Sequence, residues 1–131
     1  MQRQHGVRRD SMPALLGCLF ISSYESKHRL KGEKNIMEKE QIIICEKAIE
    51  HFGVDPQVEK AKEELAELIV ELSRAATGRM QLERIREELA DAIIMCQQLR
   101  LIMGAEETDL WIQAKLERLT DRMAEEEGKQ E

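Results

Sequence analysis

Aromatic residues are scarce: one Trp, one Tyr and two Phe in a chain of 131 residues. β-Sandwiches and barrels rely on aromatic and β-branched strands broken by frequent turns. A chain with 3% aromatics, two Pro and seven Gly is a poor candidate for either. No apolar run approaches the roughly 18–20 residues that a membrane span needs. The three cysteines, Cys18, Cys45 and Cys96, are odd in number and widely spaced. They form no CxxC pair, so neither a disulfide framework nor a zinc site is suggested, and a reducing cytoplasm is the expected compartment. Positive charge is also short, with 20 basic against 26 acidic residues and a net charge of -6 at pH 7. That excludes a generic binder of nucleic-acid polymers that works by neutralising phosphates. What the chain does have is 35% charged and 42% hydrophobic residues, at a length suited to one domain. This balance is that of a soluble helical globular protein.

The charge is unevenly spread. Residues 1–36 hold seven basic and three acidic residues, whereas residues 37–131 hold 13 basic and 23 acidic residues. Arg3, Arg8 and Arg9 ahead of the apolar stretch from Ala14 to Ile21 mimic a short signal peptide, and Leu15-Leu16-Gly17-Cys18 mimics a lipoprotein cleavage box. The apolar stretch lies mostly at and after Cys18, however, where a lipobox needs it before. Residues 1–36 are therefore read as an N-terminal extension, either poorly ordered or lying upstream of a usual start at Met37. Residues 37–124 form the folded domain, and residues 125–131 an acidic, solvated tail.

Within the domain the pattern is all-α. Gly53, Gly78, Gly104 and Gly128 sit where helices should stop. The first helix is expected over Glu38–Phe52, with Ile42, Cys45, Ile49 and Phe52 at helical spacing. Asp55 and Pro56 then read as the cap and first turn of a second helix ending near Thr77. Its expected core stripe is Val58, Ala61, Leu65, Leu68, Leu72 and Ala75. A third helix is expected over Arg79–Met103, its stripe including Leu89, Ala92, Cys96, Leu99 and Met103. Glu106-Glu107-Thr108-Asp109 supplies a cap and first-turn acids for a fourth helix ending near Ala124.

An acidic repeat lies on the second and third helices. Lys62-Glu63-Glu64-Leu65-Ala66-Glu67 recurs 24 residues later as Arg86-Glu87-Glu88-Leu89-Ala90-Asp91. At about 100° per residue, Glu64 and Glu88 lie about 60° to one side of Ala61 and Ile85, and Glu67 and Asp91 about 120° round the same way. Antiparallel packing of the two helices brings the four carboxylates face to face. Such a cluster repels itself or takes up protons unless a cation neutralises it. Ligands that are all oxygen, with no His or Cys, favour Mg²⁺, with Mn²⁺ as the alternative. Against this stands the simpler view that Glu is a good helix former on a solvated face. For one Glu that view prevails; for a repeat in matching angular positions the metal reading leads. Glu71 lies on the same ridge, as an accessory acid or as a solvated flank residue.

At these residues the chain resembles the MazG-type nucleoside triphosphate pyrophosphohydrolases of the all-α NTP pyrophosphatase superfamily. The family pattern EExxE, spacer, ExxD reads here as Glu63-Glu64-x-x-Glu67, twenty intervening residues, then Glu88-x-x-Asp91. The resemblance covers roughly residues 38–123. His51-Phe52-Gly53-Val54-Asp55-Pro56-Gln57 and Lys115-Leu116-Glu117-Arg118 also look like short single-domain members, many of them encoded by phages and prophages. The resemblance implies a four-helix bundle completed by assembly into a homo-dimer or homo-tetramer. It implies hydrolysis of an NTP or dNTP to the monophosphate and pyrophosphate. Carried over by motif position, Glu64, Glu67, Glu88 and Asp91 would hold Mg²⁺, and the catalytic set would be Glu63, Glu64, Glu67, Glu88 and Asp91. The chain departs from larger members where they carry base-stacking aromatics: four residues after Asp91 stands Met95.

Further candidates for binding substrate are Gln57 and Lys60, two turns and one turn before Glu64, and Trp111, Lys115 and Arg118 on the fourth helix. Trp111, Lys115, Arg118 and Arg122 recur at i, i+4, i+7 and i+11 as a basic stripe with an aromatic end, fitting a phosphate and a base. Such a stripe is also a plain solvated face whose cations favour the helix C-terminus. His51 is read as a dipole partner at a helix end, Cys96 as an inert core residue, and Met80, Met95, Met103 and Met123 as core or interface fillers. The competing reading of the whole chain is a non-catalytic helical oligomer that binds a nucleotide or a protein partner. A long coiled coil is disfavoured because Gly53, Gly78 and Gly104 interrupt the heptads.

Overall fold

The computed structural model describes residues 39–79 and 81–129. The expectations for residues 1–36 and for Met80 lie outside these residues. Four α-helices account for nearly all of them: α1 Lys39–Phe52, α2 Val54–Ala76, α3 Leu82–Met103 and α4 Ala105–Gly128. No strand occurs among the described residues.

The connections are short, and glycines make them so. The Gly53 N–H donates to the Ile49 carbonyl at 2.9 Å, and the Gly53 carbonyl accepts from the Gln57 N–H at 3.3 Å. One residue at φ 91° thus ends α1 and caps α2, a left-handed backbone that glycine adopts without strain. Asp55 is displaced from the expected cap into the first turn of α2, where its charge still suits the helix dipole. Gly104 repeats this arrangement between α3 and α4, so the acids at 106 and 107 lie in the first turn and cap nothing. Thr108 donates its hydroxyl to the Gly104 carbonyl at 2.7 Å.

The turn between α2 and α3 is longer. The Arg79 N–H donates to the Arg74 carbonyl and the Gly78 N–H to the Ala75 carbonyl, with Gly78 at φ 78°. This paired closure is the Schellman motif. It carries the chain into an extended Gln81, so α3 begins at Leu82 and not at Arg79. At the other end α4 continues to Gly128, through acids expected to form a frayed tail beyond Ala124.

The antiparallel pair α2–α3 is the centre of the molecule, with α1 packed against both, and α4 meets chiefly α3. The buried positions of α2 are Gln57, Ala61, Glu64, Glu71 and Ala75. With half-buried Leu68 they form a seam that alternates steps of four and three residues, the signature of close helix pairing. This seam is rotated away from the expected one. Leu72 is exposed, and on α3 Leu89, Cys96 and Met103 are exposed while Met95 and Gln98 are buried beside Ala92. Small Ala61, Ala75 and Ala92 let the two backbones approach, and Leu72 and Leu89 are left on the outer faces. Among the described residues the buried apolar side chains are Cys45, Ala61, Ala75, Ala92 and Met95, and no large side chain is fully enclosed. The 24 residues of α4 bury none of their side chains. No described helix is long and apolar enough to cross a membrane.

Candidate functional site

The α2–α3 seam is a ladder of charged rungs. Nearest the turn, buried Glu71 on α2 accepts from Arg74 on its own helix at 2.7 Å and stands 3.5 Å from Arg84 on α3. One turn further on, Glu67 faces Glu88, because Arg84 and Glu88 are four residues apart, as are Glu71 and Glu67. Glu64 lies a turn beyond Glu67. Glu64, Glu67 and Glu88 each offer one carboxylate oxygen, and these oxygens all lie within 4.8 Å of one another. Glu64 is buried, Glu88 half-buried and Glu67 exposed, so the cluster opens to solvent along one edge. Asp91 is half-buried one turn after Glu88 and lies outside this three-oxygen group.

The electrostatics are those of a site short of positive charge. Burial pushes the Glu88 carboxyl above the ordinary carboxylate range, and the nearby Glu67 carboxylate, which shares a hydrogen bond with it, pushes it further. Two carboxylates bond to each other only when one keeps a proton. Lys60 offers partial relief: its ammonium lies 2.5 Å from Glu64 Oε1 and 3.2 Å from Glu63 Oε1. These two acceptors, Glu64 first, hold its pKa above the usual lysine range. Glu63 itself is exposed, on the solvent side of Glu64.

Of the two readings of Glu71, neither describes its setting. It is buried and neutralised by two arginines, so it closes the ladder as an ion pair. Gln57 is buried in the seam, and Lys60 is exposed beside the acids. Trp111, Lys115 and Arg118 are exposed on α4, and no hydrogen bond or ion pair joins them to the acidic cluster among the described residues. His51 lies in the last turn of α1, its ring edge-on to Phe52 at 4.7 Å. Two residues of the ladder escape a search for acids, Arg84 and Gln98. Spacing was a usable signal for both: Arg84 precedes Glu88 by one turn, and Gln98 follows Asp91 by seven residues just as Gln57 precedes Glu64 by seven.

The donor set fits a hard divalent cation. It is all oxygen, it comes from two rigid helices, and its excess negative charge is compensated by a single lysine. Oxygens on opposite sides of one Mg²⁺ stand about 4.2 Å apart, so a small closure of three flexible side chains brings this group to coordinating distance. No protein-family model, curated protein or solved structure matches the chain.

Proposed function

We propose that this protein is a Mg²⁺-dependent nucleoside triphosphate pyrophosphohydrolase, cleaving an NTP or dNTP to the monophosphate and pyrophosphate. One observation carries the reading: three carboxylate oxygens from facing helices converge within 4.8 Å, at the residues of the ExxE and ExxD motifs. Glu64, Glu67 and Glu88 would hold the metal, Mn²⁺ being an alternative, with Asp91 on the next turn completing the set. A divalent ion held by these carboxylates would supply charge neutralisation for the triphosphate and a more acidic water. The chain's own part is positional. Buried Glu64 is anchored by its helix and by Lys60, and Glu71 with Arg84 keeps α2 and α3 in register beneath the acids. Glu63, exposed on the open edge, would orient or deprotonate the attacking water. Lys60 carries a cation at the same edge, where the charge of a phosphate chain would lie. The remaining candidates, Trp111, Lys115 and Arg118, stand on α4 and would reach a nucleotide across a subunit boundary.

Assembly into a homo-dimer or homo-tetramer is part of this proposal. Ile112, Leu116, Leu119 and Met123 share one face of α4 and are all exposed in the single chain, as are Leu110 and Trp111 on its other sides. An apolar surface of that extent marks a protein contact. The same face also favours the second reading, a non-catalytic helical oligomer that binds a nucleotide or protein partner. Release of pyrophosphate and monophosphate from a panel of NTPs and dNTPs, with Mg²⁺ or with EDTA, separates the two. Wild type runs beside Glu64→Gln and Asp91→Asn. The enzyme reading expects release of both products that requires metal and is lost in both variants. No release from any substrate by a folded oligomer leaves the binding module.

A further inference from the structure

Beyond the acids, the α2–α3 seam carries a second polar feature. Gln98 is 4% exposed and Gln57 8% exposed, the buried uncharged polar side chains among the described residues. The Gln98 Oε1 atom accepts no hydrogen bond. On the same turn of α3, Gln97 holds a buried Nε2 without an acceptor. A buried amide normally finds partners, and an unfilled one calls for a reason.

Register supplies the reason. The rungs Glu71–Arg84 and Glu67–Glu88 fix how α2 and α3 run past each other. Followed away from the turn, the same register sets Glu64 level with Asp91 and Gln57 level with Gln98. Seven residues are two helical turns, so the glutamines share the face of the acids at a rise of about 10.5 Å. That separation is comparable with the reach from the phosphates of a nucleotide to the hydrogen-bonding edge of its base. A base edge presents donors and acceptors side by side, and an amide offers the complement.

We propose that Gln98, with Gln57 across the seam, reads the base of the nucleotide whose phosphates the acidic centre holds. This rests on the metal-dependent reading of Glu64, Glu67 and Glu88. Gln98 is a specificity residue that touches the base and takes no part in the bond cleavage. A site that offers a hydrogen bond to one base discriminates against bases that leave it unmade.

The test is calorimetric titration of the full chain, with Mg²⁺, by dCMP, dTMP, dAMP, dGMP and inorganic pyrophosphate. Wild type is expected to separate the four monophosphates. Gln98→Leu is expected to weaken the preferred one about tenfold or more, to bring the four within about twofold of one another, and to leave pyrophosphate unchanged. Gln98→Glu, which keeps the length of the side chain, guards against misfolding of the leucine variant. Its carboxylate only accepts, so it should shift the ranking toward guanine, whose edge offers two adjacent N–H donors, and away from bases that place a ring acceptor there. An unchanged ranking in both variants, equal weakening of all five ligands, or no discrimination by wild type overturns the proposal. If Gln98→Leu melts at a higher temperature with the ranking intact, the amide is purely structural. Mg²⁺-dependent pyrophosphate binding together with a nucleotide ranking that both variants leave unchanged would leave the metal reading standing alone. Absence of any Mg²⁺-dependent binding by wild type would remove the metal reading and the base assignment with it.

Discussion

Glu71 offers the sharpest check on how the ladder is held. Its side chain is 5% exposed, while its partners Arg74 and Arg84 are 51% and 53% exposed. Breaking a fully buried ion pair costs about 3–5 kcal/mol because a charge is left stranded. An exposed pair is worth only about 0.2–1 kcal/mol. Glu71→Ala removes the buried member and leaves two arginines that are already half solvated and that rehydrate readily. The loss therefore falls between these limits, at about 1–2 kcal/mol. For a domain of this size that lowers the melting temperature by about 5–15 °C. Circular dichroism melts of Glu71→Ala, Arg84→Ala and the double variant would read it. The Glu71–Arg84 contact crosses between helices, so the two losses should be less than additive, and the coupling should shrink in high salt. A Glu71→Ala protein as stable as wild type would refute the argument, since burying the carboxylate would then cost as much as the arginines return.

Three further outcomes follow from the same geometry. Glu88→Gln removes a carboxyl that burial and Glu67 already press toward protonation. Its melting temperature in EDTA should equal or exceed that of wild type, and the Mg²⁺-induced rise expected of wild type should vanish; a retained rise counts against Glu88 as a ligand. Arg100 pairs with Asp109 through two hydrogen bonds, one of them from Nε at 2.6 Å, and this holds the Asp109 carboxyl below its ordinary range. Its contribution is therefore complete above the unfolded aspartate pKa and is lost as pH falls through the lower folded value. Melts of wild type and Asp109→Asn should converge in that acid window and differ at neutral pH. Finally, Leu116→Glu with Leu119→Glu should shift the protein to monomer in light scattering coupled to size exclusion, and a wild type that is already monomeric would refute the α4 interface.

How much was legible before the fold was known differs between features. Four helices were, because Gly53, Gly78 and Gly104 punctuate apolar periodicities that no strand pattern matches. The acidic repeat was, because spacing on a helix maps directly onto angle. The caps were misread at Asp55 and at Glu106–Asp109, since one glycine both closes a helix and opens the next and leaves no room for a separate side-chain cap. Cys96 was misread as core because its helix turns Ala92, Met95 and Gln98 inward instead.

Composition and local spacing determined the class of structure, the helix count and the presence of a repeated acidic motif, all of which depend on residues near one another in the chain. The tertiary structure decided which side of each helix faces its neighbour. Counting apolar residues gives α2 a seam of Val58, Ala61, Leu65, Leu68, Leu72 and Ala75. The pairing keeps Ala61, Leu68 and Ala75 but takes Gln57, Glu64 and Glu71 in place of Val58, Leu65 and Leu72, the small alanines letting α3 come close. That rotation carries Glu64 and Glu71 into the seam, where Lys60, Arg74 and Arg84 offset their charge. It turns Ile69 and Leu72 outward. The direction of such a rotation depends on contacts between residues distant in the chain, which helical periodicity alone does not encode.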